Sequence, residues 1–90
     1  MDLQEKFEDA QKRVKTLPKA PSNDVLLKLY SLFKQGTEGD AKGKRPGVLD
    51  LRGRFKYDAW AGRKGLAAAD AQAAYIALVR KLLARDGKAW

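Results

Sequence analysis

Two side chains are missing from this sequence altogether: it has no cysteine and no histidine. Without thiols there is no disulfide framework, no thiolate nucleophile and no zinc site of the usual kind. Without imidazole the commonest acid–base group and the commonest transition-metal ligand are both gone. Together the two absences exclude most hydrolase triads and most metalloenzymes, so no catalytic residue, metal ligand or resident cofactor is assigned. Long apolar runs are lacking too. Uninterrupted apolar stretches last only a few residues, whereas roughly 20 are needed to span a bilayer, so stable membrane insertion is not expected. The N-terminal MDLQEKFEDA has no apolar core of a signal peptide, and Asp86-Gly87-Lys88-Ala89-Trp90 is neither a prenylation box nor a retention signal. The expectation is a soluble, cytoplasmic protein. Acidic side chains are scarce: 11 Asp and Glu face 19 Lys and Arg, a net charge of +8 over 90 residues. That length suits one small domain, residues 1–90. That charge suits an anionic partner, be it nucleic acid, a phosphorylated metabolite or a membrane surface.

What is present is helical in period throughout. Leu3, Phe7, Ala10, Val14 and Leu17 fall on one face of a 3.6-residue repeat, and Pro18 and Pro21 end it. Ser22 or Asn23 can cap a second helix from Val25 to Gln35, apolar around most of its girth, with Gly36 as its C′ residue. Residues 37–50 hold three Gly and one Pro and read as a loop. A helix–helix connection usually takes about 2–8 residues, so this one is long enough to return the chain along the bundle and leave the next helix parallel to the last. Asp50 can cap a third helix over about 51–62, and Gly62 and Gly65 break it. A fourth runs over about 67–85, with Ala71, Tyr75, Leu78 and Leu82 on one stripe. No segment alternates long enough to make a strand, so the fold class is all-α with four helices.

The positive charge is uneven. Residues 42–64 hold eight basic side chains against Asp50 and Asp58, six of the eight net charges in a quarter of the chain. A charged loop and a solvated helix face would look the same. The aromatics add information. Tyr30 and Lys34 are four residues apart on the second helix and share a face, with Phe33 beside them. Lys56 is flanked by Phe55 and Tyr57, and Tyr75 interrupts an aliphatic stripe. A ring beside a fixed ammonium can hold a nucleotide, the ring stacking on the base and the ammonium pairing with phosphate. Phe7, Phe55 and Trp60 fit a core role better, as aromatics dominate small cores. Tyr30 and Tyr75 fit either role, because a buried hydroxyl needs a partner.

These same residues carry a resemblance. Tyr30-Ser31-Leu32-Phe33-Lys34-Gln35-Gly36-Thr37-Glu38-Gly39-Asp40, Arg45-Pro46-Gly47, Lys56-Tyr57-Asp58-Ala59-Trp60, Lys64-Gly65 and Ala74-Tyr75-Ile76 closely resemble the acyl-CoA-binding protein family, in order and spacing, over nearly the whole chain. The resemblance implies a four-helix bundle of up-down-down-up topology with an overhand loop between helices 2 and 3. It implies a monomeric, non-catalytic carrier of medium- and long-chain acyl-CoA, with transient contact to enzymes that use acyl-CoA. Position by position it makes Tyr30, Lys34 and Lys56 the residues that bind the 3′-phosphate of the CoA ribose, Tyr75 the ring against the adenine, and Lys15 another contact at the nucleotide end. It puts Ala10 close to the ligand and Leu26, Leu27 and Phe55 along the acyl chain.

The sequence also departs from the family. Phe33 stands where many members have a second Tyr, which removes a hydrogen bond worth on the order of 1 kcal/mol. Tyr57 stands where Trp is common. Ala67 and Ala68 open the fourth helix where a Ser or Thr cap is usual, a loss of roughly 0.5–2 kcal/mol, with Asp70 in the first turn offsetting part of it. Two other readings compete with the carrier. A basic helical nucleic-acid-binding domain would use the positive region but lacks a helix-turn-helix. A module that binds a partner helix would use the apolar surface but leaves Tyr30, Lys34 and Lys56 unexplained.

Overall fold

Helix starts are written in the cap residues. Asp2 accepts the Glu5 N–H at 2.8 Å and opens α1 (Leu3–Val14). Ser22, rather than Asn23, accepts the Val25 N–H at 3.4 Å and opens α2 (Asn23–Glu38). Asp50 accepts the Gly53 N–H at 2.9 Å and opens α3 (Leu51–Ala61). α4 (Ala68–Arg85) starts at Ala67, which has extended backbone geometry and no side-chain cap. These elements come from a computed structural model that describes residues 1–88; Ala89 and Trp90, the end of the stretch read for sorting signals, lie outside the described residues.

Two helix ends differ from the periodicity. α1 stops at Val14 instead of continuing to Leu17, because Leu17 precedes Pro18 and is kept out of the helical region. The chain tightens there into turns, with the Thr16 N–H on the Arg13 carbonyl at 3.0 Å, and Leu17 still packs on the core. α2 passes through Gly36 and ends at Gly39, whose φ of 77° is the left-handed conformation glycine adopts freely. Gly36 serves packing instead. A Cβ there would stand 3.0 Å from Cγ of Gln72 and 3.1 Å from Cζ of Phe7, so the missing side chain lets α1 and α4 close on α2.

The directions of the helices follow from their bonds. Gln72, near the start of α4, donates to Gln4 near the start of α1 at 3.2 Å, and Lys88 past the end of α4 reaches the Thr16 carbonyl at 2.6 Å. α1 and α4 therefore run parallel. Gln72 also donates to the Gly36 carbonyl near the end of α2 at 2.9 Å, so α2 opposes α4. Arg52 and Phe55 of α3 face the start of α2, and Trp60 donates to the Gly39 carbonyl at its end at 2.7 Å, so α2 and α3 are parallel. The result is the expected four-helix, up-down-down-up bundle with its overhand loop, without strands among the described residues.

The core lies between α1, α2 and α4, where Phe7, Ala10, Leu29, Leu32, Ala71, Tyr75, Ile76, Val79, Leu82 and Leu83 form one cluster. α3 packs on α2 alone among the described helices. The loop is tied to it: Arg45 makes a bidentate pair with Asp58 at 2.9 and 2.7 Å, the Tyr57 hydroxyl donates to the Gly43 carbonyl at 3.1 Å, and Arg54 donates to the Pro46 carbonyl at 2.9 Å. Trp60 is buried beneath this loop, outside the main cluster. Phe55 departs from the core role expected of it: 58% of it is exposed, because its side of α3 has no helix over it.

Candidate functional site

Tyr30 leaves the middle of α2 toward α3, and Lys56 leaves the middle of α3 toward α2. They meet with the Lys56 Nζ 5.4 Å from the centroid of the Tyr30 ring, a cation–π contact across the α2–α3 seam. Beside them a groove of about 700 Å³ follows the α2–α3 seam, floored by Leu26 and Leu27, walled by Phe55 and edged by Asn23, Asp24, Arg52 and Lys56. A second hollow of about 320 Å³ lies between the end of α1, α2 and α4, lined by Val14, Lys15, Pro21, Leu29, Phe33 and Tyr75. Leu26 and Tyr30 line both, so the two form one continuous depression with Tyr30 at the join.

The structure thus brings together Lys15, Tyr30, Phe33 and Tyr75 around the smaller hollow, and Tyr30, Lys56, Leu26, Leu27 and Phe55 around the larger. Tyr75 is only 5% exposed; its ring meets Phe7 edge-on at 5.2 Å, so it serves the core and the hollow at once. Among the described residues its hydroxyl has no hydrogen-bond partner, and burial pushes the phenol above its ordinary pKa. Phe33 lies tilted against Phe7 at 6.3 Å and offers only an apolar surface.

Two expected residues sit apart. Lys34 lines neither hollow: it pairs with Glu38 one turn on, and its Nζ lies 4.6 Å from the centroid of the Trp60 ring. The Lys34 hydrogen bond holds the Glu38 carboxyl below its ordinary pKa. Ala10 is fully buried in the core and lines neither hollow. Arg52 was missed as a site residue, although its spacing could have found it. It lies four residues before Lys56 on α3 and shares that face.

Structure also divides the positive charge. Arg45, Arg54 and Arg63 are spent on internal contacts with Asp58, the Pro46 carbonyl and the Ser31 hydroxyl. A further hollow of about 490 Å³ on the α2–α3 seam, lined in part by Ser31, Asp58 and Arg63, holds groups that already satisfy one another or the loop. Lys42, Lys44, Arg52, Lys56 and Lys64 make no ion pair among the described residues and carry the outward field. Among the described residues no group of acidic side chains could hold a metal ion, and no helix is long and apolar enough to cross a membrane. Chemically, the depression offers rings to a planar group, ammonium and guanidinium groups to anions, and an apolar channel to a chain.

Comparison with known proteins agrees with this geometry. The family described as Acyl CoA binding protein matches residues 4–79. The chain is similar to acyl-CoA-binding protein homolog 1 of Caenorhabditis elegans, with 58% identity over 81 residues that cover 90% of this chain and 94% of the relative. It is 46% identical to the acyl-CoA-binding protein of Saccharomyces cerevisiae over 79 residues, 88% of this chain and 91% of the relative. In three dimensions it resembles the crystal structure of Oryza sativa acyl-CoA-binding protein 2, with a TM-score of 0.89 and 42% identity over 94% of this chain and 92% of the other.

Proposed function

The chain belongs to the acyl-CoA-binding protein family, and from that premise we propose that it binds medium- and long-chain acyl-CoA thioesters without cleaving them, as an intracellular carrier and pool former. The observation that carries this reading is the meeting of two hollows at Tyr30 and Leu26, one ringed by aromatic side chains beside Lys15, the other an apolar groove edged by Arg52 and Lys56.

The ligand has a polyanionic nucleotide head and an apolar tail, and the depression has one place for each. Adenine lies against Tyr75 and Phe33, with Lys15 at its edge. Lys56 supplies positive charge to the 3′-phosphate over the Tyr30 ring, and Lys34 joins it by exchanging Glu38 for phosphate. Arg52 adds a guanidinium donor on the same face of α3 as the Lys56 ammonium. The tail follows Leu26, Leu27 and Phe55, and each methylene it buries contributes about 0.8 kcal/mol, so affinity climbs with chain length until the groove is full. Ala10 acts only indirectly, by keeping α1 close to the core. Such a carrier requires no nucleophile or acid–base pair, works as a monomer, and meets acyl-CoA-using enzymes transiently.

Calorimetry with palmitoyl-CoA, free CoA and a short DNA duplex tests this. Saturable one-to-one binding of palmitoyl-CoA at micromolar protein, weaker binding of free CoA and none of the duplex are expected. No saturable binding of palmitoyl-CoA would sink the reading. Duplex binding with a steep salt dependence would assign the positive region to nucleic acid.

A further inference from the structure

Glu38 stands where helix stability does not ask for it. It is the last residue of α2, at the end where unsatisfied carbonyls make the helix negative, and the last turn of that helix carries no basic side chain. Its pair with Lys34 is also in the less favourable order, the cation one turn before the acid. Yet the contact is close. The Lys34 Nζ donates to the Glu38 carboxylate, and only 20% of the lysine side chain and 40% of the glutamate side chain are exposed. Against the same ammonium lies the Trp60 ring, 4.6 Å to its centroid, itself pinned by the indole bond to the Gly39 carbonyl at 2.7 Å. The Lys34 hydrogen bond, with a smaller pull from Lys42, keeps the Glu38 carboxyl below its ordinary pKa, so it is ionised at neutral pH. The ammonium four residues beyond Tyr30 on α2 is thus already occupied by an anion of the protein's own.

We propose that Glu38 is a resident competitor for the 3′-phosphate of acyl-CoA: it holds Lys34 while the site is empty, yields it when the phosphate arrives and reclaims it as the ligand leaves. This rests on the acyl-CoA reading and adds a residue to it. The exchange replaces a carboxylate by a phosphate, which carries more charge and more acceptor oxygens, so binding still gains, but by less than an unpaired lysine would give. The consequence is a ceiling on affinity. A carrier has to surrender its cargo, and differences in affinity between related complexes lie mostly in the rate of release. A carboxylate one turn from Lys34 acts at that step, because it is at hand whenever the phosphate lets go. Lys56 makes no ion pair among the described residues, so the competition falls on Lys34 and leaves the rest of the head site untouched.

Calorimetry with palmitoyl-CoA and with its 3′-dephospho form, on wild type, Glu38→Gln, Lys34→Ala and the double variant, tests it. Glu38→Gln keeps the length of the side chain and removes its charge. It should bind palmitoyl-CoA about threefold more tightly, the size of a partly exposed ion pair, and bind the dephospho form as wild type does. In the Lys34→Ala background the same substitution should change neither affinity. Unchanged or weaker palmitoyl-CoA binding by Glu38→Gln overturns the proposal. So does an equal gain with the dephospho form or in the Lys34→Ala background, which would make Glu38 a general repeller of anions. A wild type that fails to bind palmitoyl-CoA at all is a different result: it removes the acyl-CoA reading, and the proposal falls with it.

Discussion

Tyr75 combines a ring that belongs to the core with a hydroxyl that has no partner among the described residues. Tyr75 lines the smaller hollow, so its hydroxyl carries no burial penalty, and Tyr75→Phe should shift stability at neutral pH by no more than about 0.5 kcal/mol. The alkaline limb gives an independent check. Burial raises the phenol's pKa in the folded state, so below about pH 10 it is neutral in both states and its contribution is complete. As pH climbs from the unfolded value through the raised folded one, the unfolded chain ionises first and stability is lost. Thermal unfolding across that range should therefore show wild type declining more steeply than Tyr75→Phe. Lys56 is the opposite kind of residue, exposed and, among the described residues, engaged with the Tyr30 ring. Lys56→Ala should weaken free CoA and palmitoyl-CoA by the same factor, about tenfold for a lost charged contact, while stability moves by no more than about 0.5 kcal/mol. Calorimetry of both ligands beside a denaturant titration reads this; unequal losses would remove Lys56 from the shared head.

Among the elements, α4 lacks what the other three helices have. Ala67 already holds the extended geometry of a cap, with φ −61° and ψ 144°, so only the side-chain oxygen is missing. Ala67→Ser should stabilise the protein by about 1 kcal/mol, visible as a shifted denaturation midpoint with an unchanged slope. Caps at Ser22 and Asp50 were legible because they depend on local chemistry. The end of α2 was not. Gly36 and Gly39 are both plausible stops, and what decides between them is the approach of Phe7 and Gln72, residues far off in sequence. The same limit explains Phe55. An aromatic residue on a helix reads as core, and only the knowledge that α3 touches α2 alone shows that its outer side stays uncovered. Lys34 shows it again: the sequence put it on the face of Tyr30, yet Glu38, one turn away, holds its ammonium in the structure.

Over the whole molecule, the parallel placement of the middle helices followed from loop length, and the pairing of Tyr30 with Lys56 depends on that placement. The positive excess was countable in the sequence, but its division into structural and outward-facing charge was not, because Arg45, Arg54 and Arg63 find their partners only after folding. The three-helix core and the singly supported α3 differ in how much packing holds them. Amide exchange should therefore be faster in α3 than in the buried stretch of α4, and palmitoyl-CoA should slow it most in α3. Equal exchange in the two helices of the free protein would contradict this. A groove whose far wall can lift away binds with its intrinsic strength multiplied by the fraction of time the wall is seated. The Arg45–Asp58 pair and the Tyr57 hydroxyl on Gly43 tie α3 to the loop, and the Trp60 indole on Gly39 ties it to the end of α2, so loosening them should weaken acyl-CoA binding in calorimetry. Side chains that line neither hollow thus act as a gain control on the site, adjustable by evolution with no residue of the pocket changed.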